Sequence, residues 1–150
     1  AEWDERRVRG VVGVVRDQGA RPPEEWTIHS PYNIAEAKEA CGALFDLPEC
    51  PSAVLCGNDV IAQGVIYALL KRGLKVPEDV SVMGIGDFKG SKEMEPALTT
   101  IHFPAHEIGG LAGREMCQLI AQSEPPNKVA SLIRTKCDIR LSARATCRTV

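Results

Sequence analysis

The run from Pro51 to Phe103 constrains the fold more than any other part of the chain. Ser52 to Cys56 is a short apolar run between Pro51 and Gly57, and that length between two breakers favours a buried strand over a helix. Asn58 then stands where an N-cap belongs, and Asp59 falls in the first turn, where negative charge suits the helix dipole. Val60, Ile61, Val65, Ile66, Leu69 and Leu70 recur at helical spacing. Lys71 and Arg72 close this helix at its negative pole, and Gly73 offers a C-cap. Pro77 marks a loop, and Val80 to Met83 reads as a second strand. A helix placed between two strands carries the chain back to the same edge, so the strands run parallel.

The flanks extend this alternation. Trp3 to Gln18 carries Val8, Val11, Val12 and Val15 on one helical face and ends near Gly19. Glu25 to Ser30 reads as a strand. Asn33 caps a helix that runs through Ala35, Ala40 and Leu44 and stops before Pro48. Leu98 to Phe103, rich in Thr and Ile, is a further strand. Pro104 suits the first turn of a helix over Ala105 to Gln122, whose apolar face is Ile108, Leu111, Ala112, Met116, Leu119 and Ile120. Ser123 to Lys128 is a loop, and Val129 to Arg134 and Cys137 to Leu141 read as two terminal strands. Helices and strands in alternation predict an α/β fold, a mostly parallel sheet covered by helices on both faces in three layers. No repeat, low-complexity tract or linker divides residues 1–150.

Composition sets outer limits. A chain of 150 residues can hold one domain with a sizeable core. A formal net charge of −2 argues against a broad nucleic-acid surface. No apolar run approaches membrane-spanning length and no secretory signal is visible. Six cysteines, Cys41, Cys50, Cys56, Cys117, Cys137 and Cys147, contain no Cys-x-x-Cys pair and match no zinc template. Several lie in apolar stretches, which favours reduced thiols in a cytoplasmic protein.

Ligands of parallel α/β sheets bind outside the carboxyl ends of the strands. Two segments fall there: Cys56-Gly57-Asn58-Asp59 and Gly84-Ile85-Gly86-Asp87. Asn58 can serve as a helix cap alone, or its amide can also grip a hydroxyl-rich ligand. Gly84-Ile85-Gly86 is not a dinucleotide fingerprint, because Lys89 stands where the third Gly is required. His102 and His106 are separated by Pro104 and lack a third ligand, so no metal site is expected. Ser91, Ser123 and Ser142 have none of the context of a nucleophile elbow. No acid, base and nucleophile converge, so the chain is not expected to be an enzyme or to carry a cofactor.

The order Pro-Ser-Ala-Val-Leu-Cys-Gly-Asn-Asp, Val-Pro-Glu-Asp-Val-Ser-Val-Met-Gly-Ile-Gly-Asp and Pro-Ala-Leu-Thr-Thr-Ile-His-Phe resembles one family. That family is the LacI/GalR type of bacterial transcription regulators, in its periplasmic-binding-protein-like effector core. The resemblance is strongest from Pro51 to Phe103 and continues on both sides. It implies that the chain is the carboxy-terminal half of a type I effector-binding core, acting in effector sensing and dimerisation. The amino-terminal half, the helix-turn-helix headpiece and the central strand ahead of the first helix would then lie outside it. A central gap between the strands at Glu25–Ser30 and Ser52–Cys56 would be closed by an altered strand order, another chain or a separate amino-terminal piece.

The resemblance also assigns roles. Arg7, three residues before Gly10, would grip ligand hydroxyls or carboxylates; on its own terms it reads equally as a solvated helix charge. Tyr32 falls where an aromatic residue packs on a sugar ring, or it packs locally. The family places a ligand-accepting Asp at the position of Gly86, so Asp87 corresponds by adjacency only and can instead hold its loop by an Asx turn. The Gly-x-Gly-Asp version is similar to the branch associated with gluconate. The implied partners are a sugar or sugar-acid effector, a second copy meeting at Ile66, Met94 and Leu98, and operator DNA through the headpiece, with no membrane. The alternative is a sugar-binding protein of a membrane transport system, which shares the fold.

Overall fold

The computed structural model describes residues 2–121 and 136–148. The sequence motif at Pro51–Met83 forms as expected. Strand β1 is Ala53–Leu55, and helix α3, following α1 (Glu2–Asp17) and α2 (Ile34–Gly42), is Asp59–Lys71. Strand β2 is Ser81–Gly86 and β3 is Thr99–His102; α4 is Ala105–Ala121 and β4 is Arg140–Ser142. The four strands lie in chain order. β1 runs parallel to β2 with Ala53 opposite Ser81, and β2 parallel to β3 with Met83 opposite Thr99. β4 closes the sheet antiparallel to β3, Thr100 facing Ser142. The fold is α/β with a mostly parallel sheet.

Local chemistry accounts for the helix starts. Asn58 accepts from the Ile61 N–H at 2.9 Å and caps α3. Asn33 accepts from the Glu36 N–H at 2.8 Å while its amide donates to Glu36 Oε1 at 2.6 Å. The first bond satisfies one backbone N–H that a helix start otherwise leaves open, and the second holds the Asn33 side chain in place. The core lies between α3 and the sheet, where Val65, Ile66 and Leu69 meet Val82 and Leu98. α2 lies against the other side of α3 at very close range. A Cβ on Gly64 would stand 2.7 Å from the Ala37 Cβ and 2.8 Å from the Ile34 carbonyl oxygen.

The segment after β4 turns back as a strap across the sheet. Val82 N–H donates to the Thr146 carbonyl at 2.8 Å, and Thr146 Oγ1 donates to the Val82 carbonyl at 2.6 Å. Thr99 N–H donates to the same hydroxyl at 2.8 Å. Thr146 thus plugs the point where β2 and β3 begin, and it is fully buried.

Several expectations are corrected. Glu25–Ser30 is not a strand; Glu24–Trp26 is a 3-10 turn and the rest is irregular. A strand is stable through its ladder, and none of the described strands pairs with this segment. Among the described residues no strand therefore faces β1 across a gap. Instead β1 is the outer strand, with Ala53 and Leu55 exposed. The last strand is Arg140–Ser142 rather than Cys137–Leu141, and Ser123–Lys128 and Val129–Arg134 lie outside the described residues. α4 has the expected span, but none of its residues is buried, and Ile108, Met116, Leu119 and Ile120 are exposed. Ile66 and Leu98, expected between two chains, are 1% and 0% exposed within this chain. They already fill the contact between α3 and the sheet, so neither is available to a second copy; Met94 is half-buried beside them.

Candidate functional site

The carboxyl ends of β1, β2 and β3 point to one edge, as parallel pairing requires. At β1 the chain leaves through Cys56 and Gly57 into the cap of α3. Arg7, from the distant α1, reaches this turn and donates from Nη1 to the Gly57 carbonyl at 2.7 Å. The structure therefore places the Arg7 guanidinium beside the residue that precedes Asn58. Asn58 spends its side-chain oxygen on the cap, and the amide N–H donors are not used there. Tyr32 stands on the loop one residue ahead of the Asn33 cap, with its ring 58% exposed.

Asp59 was legible only as a first-turn acid. It is a buried hub, 4% exposed. Its Oδ1 accepts from Thr100 Oγ1 at 2.5 Å, and its Oδ2 accepts from Ser91 Oγ at 2.6 Å and from the Phe88 N–H at 2.7 Å. Gly84 of β2 has to lack a side chain here, because a Cβ would strike the Asp59 carboxylate. The hub fixes the loop after β2 against the start of α3. Between them lies a hollow of about 190 Å³ lined by Asp59, Val60, Gln63, Phe88, Ser91 and Met94.

Asp87 sits just past β2 with φ +53, a conformation rare for a residue with a Cβ. Its Oδ1 accepts from Arg144 Nη2 at 2.7 Å, while Oδ2 lies 3.1 Å from His102 Nδ1 and accepts from Ser142 Oγ at 3.2 Å. Burial pushes the carboxyl pKa up, but Arg144, His102 and Ser142 together outweigh it and hold the group below its ordinary value. The side chain is thus committed to β3, β4 and the strap. The preceding Gly86 has φ +133, and the Phe88 ring occupies the space its Cβ would take. Neither His102 nor Arg144 carried a sequence signal for this role. Arg144 and Arg148 both fold back onto the chain.

The six cysteines are free; Cys41 and Cys56 are buried. Burial raises the Cys56 thiol pKa, with the neighbouring Cys41 and Asp59 adding to it. Burial likewise raises that of Cys41. Both stay protonated and unreactive at neutral pH. Among the described residues, no group of three or more His, Cys, Asp or Glu could hold a metal, and no helix is long and apolar enough to cross a membrane.

Comparison with known proteins fits this geometry. Residues 1–146 match the periplasmic binding protein-like domain. The chain belongs to that family, in the form carried by LacI-type transcription regulators. The transcriptional repressor PurR of Photorhabdus laumondii is 34% identical over 106 residues, covering 71% of this chain and 31% of that protein. A LacI-family regulator from Arthrobacter sp. FB24, solved with lactose, superposes with a TM-score of 0.76 at 30% identity, over 93% of this chain and 50% of that one. The regulator CcpA of Lactococcus lactis shares the fold, with a TM-score of 0.84 at 18% identity, over 97% of this chain and 51% of that one. The chain spans about a third of the length of the curated relatives it matches.

Proposed function

We propose that this chain is the carboxy-terminal lobe of the effector-sensing core of a cytoplasmic, DNA-binding repressor. It is not an enzyme in this reading. Its effector is a sugar or sugar acid, held at the carboxyl ends of β1 and β2 and completed by a second, amino-terminal lobe. Operator DNA is met by a separate headpiece. The observation that carries the reading is the Arg7 guanidinium seated on the Gly57 carbonyl beside Asn58, a fork suited to hydroxyls and carboxylates at the place where such sheets bind ligands. Tyr32 contributes the face of its ring to the same ligand. The lactose-bound relative supports a sugar-like effector, and the repressor relatives weigh against the transport alternative.

The charge balance favours a sugar acid. Asp87 is neutralised by Arg144, and Gly86 brings no carboxylate. Two like charges ~4 Å apart repel by about 4 kcal/mol at an effective dielectric near 20, so the lack of one facing carboxylate shifts selectivity by orders of magnitude. A second copy pairs through the outward side of α3, where Tyr67 and Leu70 are exposed, together with Met94. This pairing supplies the two-fold symmetry that a palindromic operator needs.

Calorimetry on the complete effector core with D-gluconate and D-glucose tests the reading. Gluconate binds tighter, and Arg7→Ala weakens it by about a hundredfold, the loss expected for a charge-assisted fork. Tighter glucose binding, or full gluconate affinity in Arg7→Ala, overturns it.

A further inference from the structure

We infer that Arg144 is a specificity-determining positioning residue, which withholds the Asp87 carboxylate from the effector and leaves Arg7 as the charge the effector meets. This rests on the proposed effector site and names the device that sets its preference.

Asp87 is the first residue beyond β2, on the edge where ligands of parallel sheets bind. A carboxylate there would be a strong acceptor for the hydroxyls of a neutral sugar and a repulsive neighbour for an anion. Arg144 prevents both. Its Nη2 donates to Asp87 Oδ1 at 2.7 Å, its Nη1 to the Leu98 carbonyl at 2.8 Å, and its backbone N–H to Thr99 Oγ1 at 2.9 Å. The guanidinium is therefore held at two points and the Arg144 backbone at a third, and a planar fork so held keeps its partner in one orientation. His102 and Ser142 approach the other carboxylate oxygen, and Asp87 N–H donates to Thr100 Oγ1 at 3.3 Å. Together these contacts over-determine a backbone conformation that a residue with a Cβ rarely takes. The Asp87 side chain is left 16% exposed.

Next door, Gly86 is closed by a different means. Its φ of +133 disfavours any side chain, and the Phe88 ring fills the space. Both positions able to present a carboxylate at the end of β2 are thus disabled, one by geometry and one by an ion pair. The ion pair is reversible by a single substitution. Arg144→Ala releases Asp87 toward the effector, which gains a hydroxyl acceptor and a like charge against an anion.

The experiment compares D-gluconate and D-glucose affinities of the complete effector core carrying Arg144→Ala, Arg144→Lys, or Arg144→Ala with Asp87→Asn. Arg144→Ala lowers the gluconate-to-glucose affinity ratio by about tenfold or more. The double variant restores the wild-type ratio, and Arg144→Lys, which keeps the cation without the fork, falls between. An equal loss for both ligands, or a ratio that the Asp87→Asn change does not restore, overturns the inference. Should Arg144→Ala not fold, Arg144→Lys with and without Asp87→Asn decides in the same way. A wild-type core that binds neither sugar sinks the effector assignment alone. The positioning role is then read from the Asp87 carboxyl carbon by nuclear magnetic resonance: titration moving up toward the ordinary carboxylate range in Arg144→Ala sustains it, and no movement refutes it.

Discussion

The Asp59 carboxylate and the Thr100 hydroxyl meet at 2.5 Å beneath the loop that follows β2. One is the first residue of α3 and the other lies in β3, 41 residues later, so a single hydrogen bond ties the helix cap to the far side of the site. Asp59 also takes donors from Ser91 and Phe88. Asp59→Ala leaves three donors without an acceptor in a buried place. A loss of about 3 kcal/mol is expected, since hydrogen bonds to a charged group contribute roughly 1.5–3 kcal/mol each and partial relaxation recovers some of it. Urea denaturation of the effector core reads this; a loss below about 1 kcal/mol would show that the hub is dispensable.

The contact of α2 with α3 depends on Gly64. A methyl group there meets the Ala37 Cβ and the backbone of Ile34 and Lys38. Gly64→Ala is expected to destabilise by about 1–3 kcal/mol through overpacking. Gly113, in α4, has nothing within 4 Å of its would-be Cβ, and Gly113→Ala is expected to stabilise by about 0.5–1 kcal/mol through helix propensity. Thermal melts of the two variants should move in opposite directions, and a shared direction would contradict the packing described.

Acid should loosen the end of β2. The Asp87 pKa is depressed in the folded chain because Arg144, His102 and Ser142 outweigh the effect of burial. A depressed carboxyl stabilises the fold above its unfolded pKa of about 3.9, and this contribution is lost as pH falls through the lower, folded value. Denaturation midpoints of wild type and Asp87→Asn should therefore converge as pH drops below about 4. Parallel curves across that range would show that the pairing does not stabilise the fold.

Thr146→Val keeps the volume of the plug but removes its hydroxyl. The Thr99 N–H and the Val82 carbonyl then lose a buried partner. A cost of about 2–3 kcal/mol is expected from leaving such groups unsatisfied. Hydrogen exchange should show the Thr99 amide losing protection first, while amides of α3 keep theirs. Uniform loss across both would argue that the plug acts globally.

The sequence announced what depends on neighbours a few residues apart. Asn33 and Asn58 cap the helices they precede, and the breakers Pro51 and Gly57 bracket β1, because caps and turns are short-range chemistry. It misjudged what depends on coverage. Ile66 and Leu98 are apolar at the right spacing whether a sheet or a second chain covers them, and only the packing reveals that α3 and β3 cover each other. Glu25–Ser30 has strand-like residues but no ladder partner. At the site, the family resemblance singled out Arg7 and Asn58, while the contact of Arg7 with the Gly57 carbonyl spans 50 residues and no local pattern announces it. The Asp87–Arg144 pair joins residues 57 apart, a separation at which no local pattern speaks.

The strap through Thr146 also sets an order in time. Val82 and Thr146 are 64 positions apart, so during synthesis the start of β2 emerges long before its partner exists. At about 5–20 residues per second, the delay is roughly 3 to 13 s. Through that interval backbone groups at Val82 and Thr99 that residue 146 holds in the finished fold are left to water. The lobe cannot acquire its finished stability cotranslationally from its first hundred residues. Chaperone engagement with ribosome-bound chains should persist until the strap has cleared the exit tunnel.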